Sequence, residues 1–372
     1  MEISKSARWT SICCVGVVGF VAATIGPSVM ADDEAVPQVV KNTVVFREAG
    51  RFAGWPANNG IWIWENEILV GYILGYHEER EGHTIAPGRP QVTHMARSGD
   101  GGETWAAESP PFAKEGMEDV NWSKLNQPLD FTVPNFAARF REDRCYFSLD
   151  RGHKWQGPYE IPKYGRPGLL ARTDYIVEGP QRLTAFISAE KDGGNEGQPL
   201  CIRTEDGGQS WNLVGWIGSQ PPAGYGYAIM PATVAIDGGG YLSMIRRGGV
   251  FDGRRRWWVE PYLSPDAGRS WYLLEGPVLE NSGNPATLTR LKDGRLALVY
   301  GWRLPPYGIR GRISSDNGQS WSDEFILRDD GSGWDLGYPR TVERPDGKLV
   351  TVYYFRDHQR VERYIAATIW QP

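Results

Sequence analysis

Five copies of one eight-residue pattern constrain this chain more than any other feature. They read SGDGGETW at 98–105, SLDRGHKW at 148–155, TEDGGQSW at 204–211, SPDAGRSW at 264–271 and SSDNGQSW at 314–321. The shared pattern is Ser/Thr-x-Asp-x-Gly-x-x-Trp, and successive copies start 50, 56, 60 and 50 residues apart. A period in that range marks a repeat architecture. The hydroxyl and the carboxylate can bond nearby backbone amides and hold a tight loop. Glycine supplies a positive φ without steric cost, and the tryptophan can fold back over the hairpin. These residues therefore read as scaffold, with no catalytic role.

The segments between the copies read as antiparallel strands rich in Val, Ile, Leu and Tyr. One repeat shows the plan: NPATLTRLKDG (284–294), RLALVYGWR (295–303), GIRGRIS (308–314), the eight-residue turn, then SDEFILR (322–328). The same plan fits the repeats around 59–98, 168–217 and 227–279, while the stretch 115–162 is irregular. The last repeat, from 336 to 370, has only three strands. Its missing outer strand is assigned to Thr43–Phe46, which would close a ring. The expected fold is all-β, a six-bladed β-propeller of four-stranded antiparallel blades.

The eight-residue pattern resembles the Asp box of the sialidase (neuraminidase) superfamily, over almost the whole length of the chain. That resemblance implies a propeller with an arginine-rich glycosidase site. In the family a tyrosine in a Gly-Tyr-Ser segment is the nucleophile, and Gly337-Tyr338-Pro339 resembles that segment with Pro for Ser. The family's second arginine corresponds to Arg246, and its third to Arg303 or Arg310, with Arg303 preferred. Three family features are missing. Met230 stands where the family has the glutamate that pairs with the tyrosine. Asn58-Asn59-Gly60 stands where the first arginine would be, and no aspartate lies between Asp33 and Asp100 to serve as the acid.

Topology separates two faces. The Asp-Gly turns and the eight-residue turns fall at one end of each blade, and the starts of inner strands and the loops after second strands fall at the other. Sites gather where such loops converge. Tyr338, Glu78, His83 and Asp335 are the catalytic candidates on that second face. Arg246, Arg303, Arg340, Asn58 and Tyr227 are the substrate-binding candidates. Arginine forks suit a carboxylate or sulfate, and aromatic faces suit a sugar ring, so the expected partner is an acidic glycan. Arg340, two residues beyond Tyr338, is expected to lie on the same strand face and to act as its neighbouring cation. His83 or His77 with Tyr338 would also suit β-elimination from a uronic acid. A non-catalytic glycan-binding propeller is the remaining alternative. No cysteine or histidine spacing suggests a metal site, and no cofactor is expected.

Residues 1–31 read as a secretory signal: Lys5 and Arg8, an uncharged run from Ile12 to Ile25, and Val29-Met30-Ala31 ahead of two aspartates. Residues 32–372 would then form the propeller domain of a secreted or periplasmic protein. Cleavage removes a net charge of +1 and shifts the formal net charge from −5 to −6. That balance does not suggest nucleic acid as a partner. No membrane span is expected in the mature chain, and a monomer is expected. Cys145 and Cys201 each precede a repeat by three residues. They would occupy equivalent strands of neighbouring blades, too far apart for a disulfide.

Overall fold

The computed structural model describes residues 36–110, 121–192, 194–221, 226–276 and 279–372. The signal-like segment 1–31 lies outside them. The strands form six antiparallel sheets, the blades of one propeller. Blade six joins Gly337–Glu343, Leu349–Phe355 and Tyr364–Gln371 to Gln38–Phe46. This closing strand pairs from Gln38 with Gln371 to Phe46 with Ile365. The ring is therefore closed as expected, by a strand longer than Thr43–Phe46. Blade five runs Ala286–Arg290, Leu296–Trp302, Tyr307–Ser314 and Phe325–Gly331, and blade three runs Tyr175–Val177, Leu183–Lys191, Gly194–Thr204 and Asn212–Trp216.

Three blades depart from the regular plan. In blade one the inner strand is split. Arg51–Gly54 and Ile61–Trp64 both pair with Glu67–Tyr76, and a 3-10 turn at Pro56–Asn58 stands between them. Val92–Ser98 and Ala106–Glu108 complete that sheet. Among the described residues blade two has three strands, Ala137–Arg141, Arg144–Ser148 and Gln156–Glu160. Blade four pairs Gly226–Ala235 with Tyr241–Phe251 and then Arg254–Ser264, and its outer edge is two short pieces, Tyr272–Leu273 and Leu279–Glu280.

Hydrophobic burial sits between blades, one cluster at each of the six junctions. The eight-residue turns explain how neighbours dock. In each copy the Ser/Thr hydroxyl accepts the glycine amide at 2.8 Å, as from Gly102 to Ser98 and Gly268 to Ser264. The aspartate accepts the amide two residues after that glycine, as from Ser320 to Asp316 at 2.8 Å. The glycine then lies against the preceding blade. A Cβ on Gly152 would stand 2.4 Å from Leu69, one on Gly268 2.5 Å from Cys201, and one on Gly318 2.5 Å from Leu242, all at positive φ. The tryptophan packs in the same junction and in three copies also folds back on its own turn, as where Trp105 Nε1 donates to Gly102 O at 3.0 Å. At the junction of blades five and six, which has no such turn, fully buried Trp370 takes the place. Cys145 and Cys201 are buried free thiols, and burial pushes both thiol pKa values up.

Arg344, in the turn after the inner strand of blade six, donates to Gly101 O at 3.2 Å in the first eight-residue turn. The two kinds of turn therefore share one face, and the other face is left for the site.

Candidate functional site

Three non-glycine residues on inner strands take left-handed backbone angles: Trp55 (φ 58°), Met230 (φ 55°) and Tyr338 (φ 51°). Bulky residues adopt such angles only where surrounding structure holds them, at roughly 1–3 kcal/mol each. Each interrupts its strand. Pairing jumps from Ile229 to Ala232 in blade four and from Gly337 to Arg340 in blade six, while Trp55 separates the two halves of the first inner strand. Ala57, Tyr227, Ile229 and Met230 form one cluster, with Tyr338 packed against it, at the meeting of blades one, four and six.

Asn284 holds the Tyr338 backbone. It is fully buried; its Oδ1 accepts the Tyr338 amide at 2.8 Å and its Nδ2 donates to Leu336 O at 2.8 Å. Any Cβ on Gly337 would meet the Asn284 side chain at 2.5 Å. The half-buried phenol then meets two guanidinium groups. Arg246 Nη1 donates to Tyr338 Oη at 3.3 Å, and Arg246 Nε donates to Gly283 O at 2.9 Å. Arg303 lies over the same ring, 5.5 Å from its centroid, and 5.4 Å from that of Trp334. Its Nη2 donates to Tyr354 Oη at 2.9 Å.

Next to this group, His83 Nδ1 lies 2.6 Å from Asp335 Oδ1. Asp335 is fully buried, and the same oxygen accepts Tyr354 Oη at 2.6 Å. Burial works against its charge, but His83, Tyr354 and Arg363 outweigh burial and hold the carboxyl below its ordinary pKa. An ionised Asp335 only accepts, so the proton sits on Nδ1 and Nε2 is left to act on other groups. The imidazole side chain is 40% exposed. Trp55 meets it edge-on at 5.3 Å and Trp334 at 5.5 Å, between ring centroids.

Residues 131–351 match the BNR repeat-like domain family. The chain belongs to that family. No curated protein matches this BNR repeat-like chain in sequence. Solved structures do match its fold. A Dyadobacter fermentans protein of unknown function is 20% identical with a TM-score of 0.64, over 90% of this chain and 99% of that one. The Penicillium chrysogenum α-L-arabinanase complexed with arabinobiose is 15% identical with a TM-score of 0.58, over 90% and 98%. The NanB sialidase of Streptococcus pneumoniae is 12% identical with a TM-score of 0.55, over 88% and 70%.

Within this BNR repeat-like propeller, the sequence-predicted residues divide into groups. Tyr338, Arg246 and Arg303 converge, and His83 meets Asp335. Glu78 stands exposed on the loop that carries His83 and takes no part in either group. Tyr227 is only 5% exposed and lies under Arg246, its ring centroid 5.0 Å from the guanidinium carbon. It supports the arginine rather than offering a free aromatic face. Asn58 bonds Arg172 Nε at 2.7 Å and lines a separate cleft of about 170 Å³ with Trp55 and Arg141.

Arg340 departs from its expected role. The bulge at Gly337–Arg340 breaks strand alternation, so its guanidinium turns away and donates to Ala57 O and Thr173 O, 3.8 Å from Asp174. The cation at Tyr338 is Arg246 instead. Burial pushes Asp174 up to about 7, against the opposing charge of Arg340. Sequence reasoning missed Trp55, Trp334, Tyr354 and Arg363 as members of the site, while Asn284 is at the end of the inner strand that the blade plan turns toward the site. Trp334 had a local signal, since it immediately precedes Asp335.

Proposed function

We propose that this chain is an exported, sialidase-like glycoside hydrolase acting on an acidic glycan. The observation that carries the reading is Tyr338, braced between Arg246 and Arg303 beside the His83–Asp335 pair. The likeness to sialidase and arabinanase structures supports a glycosidase, and residues 1–31 support export. In this reading the two arginines bind the carboxylate or sulfate of the sugar. Tyr338 Oη attacks the anomeric carbon and gives up its phenolic proton to solvent, and the bond from that carbon to the leaving oxygen breaks. Arg246 stabilises the charge on the attacking oxygen. His83, protonated at both ring nitrogens, gives its Nε2 proton to the leaving oxygen. Water then cleaves the glycosyl–tyrosine bond, His83 takes a proton from that water, and the released tyrosine oxygen regains its proton from solvent, which restores the starting state. Trp55 and Trp334 flank the sugar.

Met230 in place of a carboxylate favours a second reading, a glycan-binding propeller without turnover. One screen separates the two. Sialosides, uronosides and sulfated oligosaccharides are incubated with the purified protein, and both reducing ends and unsaturated products are measured. New reducing ends support the hydrolase. Unsaturated products indicate elimination by His83 and Tyr338. Saturable binding without either product supports the binder.

A further inference from the structure

We propose that a second anion-binding subsite lies beside the Tyr338 cleft, built by the long hairpin of blade four, and that it takes the next anionic sugar of a linear polysaccharide. This rests on the reading of the cleft as an acidic-glycan site. The hairpin strands Tyr241–Phe251 and Arg254–Ser264 are 11 residues each. They extend past the cleft on the face opposite the eight-residue turns. Burying the hydrophobic core of the blade does not require their outer half, because Arg254, Arg255, Arg256 and Trp257 are all exposed. Together with Trp258, Trp302 and Asn281 these residues line a concavity of about 540 Å³.

The lining chemistry fits a charged sugar. Exposed Arg254 and Arg256 offer forks for sulfate or carboxylate, and exposed Trp257 offers a flat apolar face. One carboxylate, Glu280, also lines the concavity. Asn281 is only 8% exposed, and its Nδ2 has no hydrogen-bond acceptor among the described residues. Its Oδ1 is fixed by the Asn284 amide at 2.7 Å, which leaves that donor to a ligand.

The concavity and the cleft share one wall, the loop 281–284. On one side a Cβ on Gly283 would stand 3.1 Å from the Trp257 ring. On the other, Gly283 O accepts Arg246 Nε at 2.9 Å, Ser282 Oγ accepts the Arg303 amide at 2.7 Å, and Asn284 holds Tyr338. A chain lying across this wall would place one anionic unit on Arg246 and Arg303 and the next on the hairpin. A concave lining, across one wall from Arg246 and Arg303, favours a polysaccharide over a flat lipid surface.

The test compares binding by three proteins: wild type, a hairpin variant with Arg254→Ala, Arg256→Ala and Trp257→Ala, and the cleft variant Arg246→Ala. The probes are dextran sulfate, polygalacturonate, neutral dextran and phosphatidylserine vesicles, with thermal melts to verify folding. The hairpin variant should bind dextran sulfate or polygalacturonate at least tenfold more weakly than wild type, with the affected probe naming sulfate or carboxylate. Neutral dextran should bind none of the three. Wild-type affinity in the folded hairpin variant, with loss only in Arg246→Ala, overturns the subsite and keeps the cleft. Loss only in the hairpin variant keeps the subsite and overturns the cleft reading. Binding to vesicles alone, or to no probe, overturns the subsite.

Discussion

The two faces of this propeller solve opposite problems with the same kinds of residue. On one face, five turns repeat one hydrogen-bond pattern, with serine or threonine and aspartate partnering backbone amides within four residues. Positive φ is assigned to glycine where the preceding blade presses closest. On the other face, Trp55, Met230 and Tyr338 take positive φ themselves, and Asp335 Oδ2 and Asn281 Nδ2 are buried without hydrogen-bond partners among the described residues. The first face is redundant: each turn supplies its own donors and acceptors, and its non-glycine residues at positive φ, Arg151, Ala267 and Asn317, sit in tight turns rather than on strands. The second is built once, from five blades, and holds strain. Strain and unmet polar groups of this kind belong where a ligand completes the structure.

Substitutions on the strained face should therefore act on activity, and those on the repeated face on stability alone. Asp335→Ala gives the largest expected effect, because it does both. It frees His83 and leaves Arg363 buried beside a lost charge, at about 3–5 kcal/mol. Turnover should fall by about 10²–10⁴-fold, measured by initial rates together with urea unfolding. His83→Gln sharpens the contrast. It should cost a similar factor in kcat with a smaller loss of unfolding free energy than Asp335→Ala, because Tyr354 and Arg363 still partner the buried carboxylate.

Gly318→Ala tests the repeated face. Its φ of +83° and the 2.5 Å approach to Leu242 predict a loss of about 1–3 kcal/mol with kcat unchanged. A fall in kcat without loss of stability would break the division between faces. Acid unfolding is the smallest effect. Burial slightly opposes the charge on Asp100, but Thr104, Ser98 and the Glu103 amide bring its pKa from 3.8 down to about 2. Asp266, bonded by Ser270, is likewise lowered to about 2. A depressed folded-state pKa stabilises above the unfolded value and is lost as pH falls through the folded one. These two carboxylates should therefore cost stability as pH falls from about 4 toward 2, and that acid limb should be less steep in Asp266→Asn.

Much of the repeated face was legible in sequence, because its pattern is local. Each eight-residue turn carries its own donors, acceptors and glycine, so the period, the blade plan and the closing strand followed from spacing. Blade two was not legible. Phe131 and Phe136 serve its junction from irregular chain, without the strand alternation that announces a sheet. The split first inner strand hid behind Trp55-Pro56, where a left-handed residue and a 3-10 turn replace extended chain. The site was legible in its residues but not in its pairings. His83 and Asp335 are 252 positions apart, and nothing local in either loop predicts their contact. Arg340 shows the reverse: the sequence reads as regular alternation, and a bulge intervenes.

The central claim is that Tyr338 is held in a strained backbone for chemistry rather than for packing. Tyr338→Phe, assayed for turnover and thermal unfolding on one purified sample, tests it most directly. The account predicts loss of about 10³-fold or more in kcat, with stability changed by no more than about 1 kcal/mol, since a single half-exposed hydroxyl is removed. A lowered melting temperature with turnover nearly intact would contradict it.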